Sequence, residues 1–164
     1  MIVQHRYHAS SSIPDNLSLA HFAAHWALWI PSYEEELIGK TGKIINVQGS
    51  PSEGFAHEFE RNYDLASETR RHSVKLLSLV DSKNIIDTTG DYSIDNTAID
   101  NLESSALTIK APGPSLRSIE QHGVKTRVEL KNCQTWLRQF VSTLVENGTF
   151  SKDALVELDN AFKN

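Results

Sequence analysis

Cys133 is the single cysteine of this chain, and it follows Asn132 at the start of a helical pattern. A helix opened by an Asn cap projects backbone N–H groups from its first turn, and its dipole favours negative charge there. A thiol so placed is expected to ionise more readily, and the thiolate is the nucleophile. The same N–H groups suit the oxyanion of a tetrahedral intermediate. Such a nucleophile needs an imidazole to take its proton. Of the seven histidines, His25 is the first candidate, because its face partners Ala23 and Ala27 are small and leave room beside the ring. His57, in phase with Phe55 and Phe59, is the second. Each has a purely structural alternative. Cys133, three residues before Trp136 and four before Leu137, suits a core position. His25 suits a core histidine bonded to a backbone carbonyl.

Positioning these groups requires a sheet and a helix, and the hydropathy pattern supplies both. Phe22–Ile30 and Lys43–Gln48 read as strands, with Pro31 ending the first and a turn at 49–54. Phe55–Tyr63 alternates, with Phe55, His57, Phe59, Arg61 and Tyr63 on one face. Ser73–Asp81 reads as a fourth strand, and Asn96–Leu107 as a helix with Ile99, Leu102, Ala106 and Leu107 inward. APGP at 111–114 is a break, Leu116–His122 a short helix, and Val124–Leu130 a short strand or extended lead-in. Asn132–Asn147 carries one apolar stripe from Cys133 to Val145, with Gly148 as its stop. Ser151 is expected to cap a last helix containing Ala154, Leu155, Leu158, Ala161 and Phe162. Strands followed by helices predict an α+β fold with an antiparallel sheet.

The 164 residues fit one domain spanning 1–164, long enough to bury a core. A net charge of −5 argues against nucleic acid as a partner. No window approaches a membrane span, so stable membrane insertion is not expected. With no secretory signal read at Met1–Ser12, the expected location is cytoplasmic. His21 and His25 in HFAAH share zincin spacing, but Phe22 stands where a base Glu belongs, so no metal is expected. The glycines form no phosphate cradle, and no cofactor is expected. The Glu34–Glu36 run is either a gate near the strand end or a solvated turn.

His25-Trp26-Ala27-Leu28-Trp29-Ile30 resembles the HWA-plus-apolar strand of the lecithin:retinol acyltransferase and phospholipase A/acyltransferase-like families. Asn132-Cys133-Gln134-Thr135-Trp136-Leu137 resembles their NCEHF-type helix start, and its NC is similar to the NCN-type site of the PPPDE isopeptidases. These belong to the NlpC/P60-like branch of papain-fold enzymes. His25 precedes Cys133 by 108 residues, the order of the permuted members. As a whole, the chain also resembles short fungal proteins. The resemblance implies a third polar residue on the next strand. In the acyltransferase-like members it is a second His in a pattern like GYVVHL. Here the matching stretch is Gly42-Lys43-Ile44-Ile45-Asn46-Val47, so Asn46 takes that place, with Gln48 as the alternative on the same face. An amide oxygen can accept the imidazole N–H. The chain departs from those families in its long 31–42 connection, the missing second His and the lack of a hydrophobic C-terminal tail.

The resemblance thus implies a papain-like α+β domain with a Cys133–His25–Asn46 site. Its expected activity is that of a cysteine hydrolase or acyltransferase working through an acyl-enzyme on a small-molecule or peptide amide, ester or thioester. The alternatives are an isopeptidase acting on a protein, and a papain-like fold used for ligand binding or for cyclisation in a small-molecule pathway.

Overall fold

The computed structural model describes residues 2–5, 24–32, 40–115 and 131–161. Its centre is a six-stranded antiparallel sheet in the order β5-β1-β2-β3-β4-β6. The strands are β1 (Ile2–His5), β2 (His25–Pro31), β3 (Thr41–Ser50), β4 (Gly54–Asp64), β5 (His72–Lys75) and β6 (Ser93–Asp95). The α-helices among the described residues are α1 (Asn101–Thr108), α2 (Cys133–Glu146) and α3 (Asp153–Asp159). The architecture is therefore α+β with an antiparallel sheet, as the pattern predicts. Among the described residues no helix is long and apolar enough to cross a membrane.

Strand alternation sorts the apolar residues onto two faces. Trp26, Leu28, Ile30, Ile45, Val47 and Phe59 join the main core with α1, α2 and α3. Ala27, Trp29, Ile44 and Leu65 form a second cluster in the opposite phase. The α2 stripe of Cys133, Trp136, Leu137, Phe140, Val141 and Leu144 is buried against the first face. Gly42 permits the close approach of β2 and β3, since a Cβ there would lie 2.2 Å from the Ile30 carbonyl oxygen.

Several expected elements differ, each for a local reason. Tyr63 does not share the face of Phe55–Arg61. Pairing passes from Ile44↔Glu60 to Gly42↔Tyr63, so Arg61 and Asn62 together oppose Lys43. This bulge, with Asn62 at φ 54°, reverses the phase, and Tyr63 packs edge-on to Trp29. The expected strand 73–81 is shorter: β5 ends at Lys75, which pairs with Ile2 of β1. Leu76 and Leu79 beyond it are 51% and 73% exposed. The expected helix 96–107 begins only after Asp100, whose side chain caps the Glu103 N–H. Ile99 precedes that helix and Leu107 lies off its buried face, so both are partly exposed. Ser151 does not cap α3; Lys152 holds the cap position without a side-chain bond. Strands β1 and β6 were not apparent from the pattern. The stretches expected at 116–122 and 124–130, the Glu34–Glu36 run, His8, His21, His122 and Phe162 lie outside the described residues.

Charge is buried where α1 meets the sheet. Lys43 of β3 and Arg61 of β4 are 3% and 6% exposed, Glu103 is fully buried and Asp100 nearly so. The Lys43 ammonium contacts the Asp100 carboxylate and lies 2.8 Å from Glu103 Oε1. Arg61 holds Glu103 at 2.7 Å and Asp95 at 3.0 Å, and donates to the Thr97 carbonyl. The Asp100 and Glu103 carboxylates also accept backbone N–H groups: Ile86 donates to the Asp100 oxygen that holds Lys43, Ile99 to the Glu103 oxygen that holds Arg61, and Glu103 to Asp100 Oδ1. Such a network depends on every member being paired. Lys43→Met should leave two buried carboxylates short of a partner and lower unfolding stability by about 3–5 kcal/mol. Urea denaturation checks this, and a loss near zero would show that the network contributes no net stability.

Candidate functional site

Asn132 opens α2 as a capping box. Its side-chain oxygen accepts the N–H groups of Gln134 and Thr135, and the Thr135 hydroxyl accepts the Asn132 N–H. This fixes Cys133 as the first helical residue, as its place after Asn132 predicts. The first turn is then clamped to the beginning of β2. Gln134 Nε2 donates to the Ala24 carbonyl at 2.8 Å, and the Trp26 backbone N–H donates to the Cys133 thiol. His25, which begins β2, lies between these two contacts.

The cap changes which N–H groups are available. Gln134 and Thr135 already donate to Asn132, at 3.0 and 3.1 Å. The donors that the cap does not use and that face the thiol are the backbone N–H groups of Cys133 itself and Trp26. The charge effect is also the reverse of the simple expectation. Burial pushes the Cys133 thiol above its ordinary pKa, and the N–H donors of Trp26, Gln134 and Cys133 offset this only in part. At 7% exposure, loss of water outweighs the helix terminus.

His25 is 8% exposed. Along β2 it is in phase with Ala27 and Trp29, and on β3 Asn46 is in phase with Ile44, so the two belong to the same sheet face. Cys133 belongs to the cluster on the other face. It reaches β2 at Trp26, ahead of the point where pairing with β3 is established at Leu28↔Ile45.

Asn46 is 1% exposed and faces β4, not Cys133. Its Nδ2 donates to Glu60 Oε1 at 3.3 Å, while Glu60 Oε2 accepts the Tyr92 hydroxyl at 2.7 Å. Asn46 and Gln48 both hydrogen-bond to Glu58, whose carboxyl is raised chiefly by burial and then by repulsion from Glu60. A carboxylate only accepts, so Glu60 fixes the amide with its NH2 toward β4. Asn46 Oδ1 is left buried without a hydrogen-bond partner. Spacing in the sequence does not single out Glu58, Glu60 or Gln134 as chemical groups. The β4 alternation had already put the two carboxylates on one face, so that part of the signal was present.

His57 is engaged elsewhere. Its Nε2 lies 2.8 Å from the Ile109 carbonyl, which also accepts Trp136 Nε1–H at 3.1 Å, and the two rings meet edge to face. Among the described residues no group of three or more His, Cys, Asp or Glu converges as metal ligands would.

Because burial disfavours the charged thiolate, alkylation of Cys133 by iodoacetamide should be slow at neutral pH. Its rate should rise with a midpoint above the free-thiol value of ~8.5. A midpoint below that value would mean that the N–H donors outweigh desolvation.

Comparison with known proteins matches the chain to a family model. No curated protein and no solved structure matches the chain significantly. The match is to a family of unknown function, DUF6540, over residues 15–151, which include β2, β3, β4 and all of α2. The chain, clamped helix start included, belongs to the DUF6540 family.

Proposed function

We propose that the protein is a cysteine-dependent hydrolase or acyltransferase of permuted papain-like type, acting on an amide, ester or thioester. The observation that carries this reading is the seat of Cys133. It is the first residue of a capped helix whose first turn is bonded to both neighbours of His25. The order of a His strand, a following strand with a buried amide and then a Cys helix supports it further.

In this mechanism the buried thiol stays protonated at rest. His25 takes its proton as Cys133 Sγ attacks the substrate carbonyl, so no ion pair need exist beforehand. The carbonyl π electrons move to oxygen, and the N–H groups of Cys133 and Trp26 stabilise the oxyanion. When the intermediate collapses, the C–N, C–O or C–S bond breaks, and the imidazolium returns its proton to the leaving group. Water or a second acceptor, deprotonated by His25, then releases the acyl group and restores the thiol. Asn46 Oδ1, the unpartnered acceptor on the face of His25, suits the role of orienting the imidazole.

Burial of the thiol favours a second reading, in which the same fold binds a ligand and Cys133 is inert. The two readings separate with p-nitrophenyl acetate as a generic acyl donor. The proposal expects acetylation at Cys133, seen by peptide mass, and p-nitrophenol release that is lost in Cys133→Ala. In His25→Ala the release should fall by about 10²–10⁴-fold. Wild-type protein that stays unacetylated, or a Cys133→Ala variant as active as wild type, would sink the thiol enzyme and leave the binding reading.

A further inference from the structure

Strand β4 places Glu58 and Glu60 on one face, two residues apart, and both are half-buried. Glu58 opposes Asn46 of β3, and Glu60 lies between Ile44 of β3 and Ile94 of β6. The fold treats its other sunken carboxylates differently. Glu68 pairs with Arg70, Asp95 with Arg61, Asp100 with Lys43, Glu103 with Lys43 and Arg61, and Glu157 with Lys75. Among the described residues no lysine, arginine or histidine pairs with Glu58 or Glu60. Their partners are amides and a hydroxyl: Asn46 and Gln48 for Glu58, Asn46 and Tyr92 for Glu60. Burial, and then the charge of Glu60, push the Glu58 carboxyl above its ordinary range.

The amide beside the pair is incomplete as well. Asn46, 1% exposed, is aimed into it, with Nδ2 donating to Glu60 Oε1 at 3.3 Å, yet its Oδ1 is buried without a partner. Two carboxylates and an amide oxygen are all acceptors, so the group lacks a donor that carries positive charge. The Tyr92 ring flanks it. That ring is 51% exposed, its hydroxyl donates to Glu60 Oε2 at 2.7 Å, and it meets Tyr63 edge-on.

We propose that Glu58, Glu60, Asn46 and Tyr92 form a binding site for the ammonium group of a small primary amine. An ammonium brings positive charge and three N–H donors to a group made of acceptors. The exposed face of Tyr92 attracts a cation and can also cover its alkyl stem. A divalent metal fits less well, because Ca2+ or Mg2+ takes roughly six or more oxygen ligands and only two carboxylates meet here. An amide oxygen has two lone pairs, so the site does not compete with the part given to Asn46 beside His25.

Thermal unfolding of the full chain, titrated with n-butylammonium chloride, tests this against two other cations at matched ionic strength. Tetramethylammonium has the same charge and no N–H; Ca2+ is the divalent alternative. n-Butylammonium should raise Tm along a saturable single-site curve. Tetramethylammonium should bind about tenfold more weakly or less. Glu58→Gln, which keeps the side-chain shape at a half-exposed position, should weaken n-butylammonium by about tenfold. Tyr92→Ala, a change at an exposed residue, should weaken it by about threefold. No saturable rise in Tm, an equal response to tetramethylammonium, or indifference to both variants would overturn the site. A stronger response to Ca2+ would overturn its ligand class. The readout is binding and not acyl chemistry, so an inert Cys133 leaves the inference standing.

Discussion

Much of this molecule depends on the seating of one helix turn on the start of one strand. Gln134 holds the Ala24 carbonyl and the Cys133 thiol receives the Trp26 N–H, so the first turn of α2 cannot slide along β2. Once that end is fixed, the apolar stripe of α2 runs along the sheet face made by Leu28, Ile45, Val47 and Phe59. The same seat sets a conflict at the thiol. Seating Cys133 on the start of β2 takes it out of water, and desolvation raises the energy of the thiolate more than nearby N–H groups lower it. Burial and ionisation therefore oppose each other at this thiol.

At α1 the sheet adds buried charge to the apolar packing of Leu102 and Ala106. Lys43, Arg61, Asp100 and Glu103 meet in a region closed to solvent, and each finds partners of opposite sign or backbone groups. The arrangement uses the β4 bulge: Arg61 keeps the helix side, and only after Asn62 does the strand change phase. Without that extra residue, Tyr63 would point into the helices instead of toward Trp29. Buried pairs of this kind are weak sources of net stability, but they penalise misplacement heavily. We read the network as fixing where α1 sits.

On the opposite face, polarity is organised around Asn46. Two β4 carboxylates, one of them also held by Tyr92, take the amide NH2 and leave the oxygen without a partner. A buried acceptor left over in this way costs stability and calls for an explanation. A role in orienting an imidazole is one that the shared face with His25 supports.

The sequence by itself determined the class of the fold, the strands around Trp29, Ile45 and Phe59, and α2 with its cap. These rest on near-neighbour physics: two-residue alternation, a 3.6-residue stripe, and an Asn whose side chain reaches its own helix. It also put Cys133 at a helix start and Asn46 on the strand beside that of His25. Tertiary structure alone decided the rest. The β4 bulge depends on pairing with β3 opposite Lys43, and β5 on pairing with β1, about 70 residues earlier in the chain. The thiol's raised pKa depends on how deeply α2 sinks onto β2, and the charge network on residues 57 and 42 positions apart in the chain. Local patterns carry no record of such distances, because register, desolvation and the pairing of buried charges exist only once the chain has closed on itself.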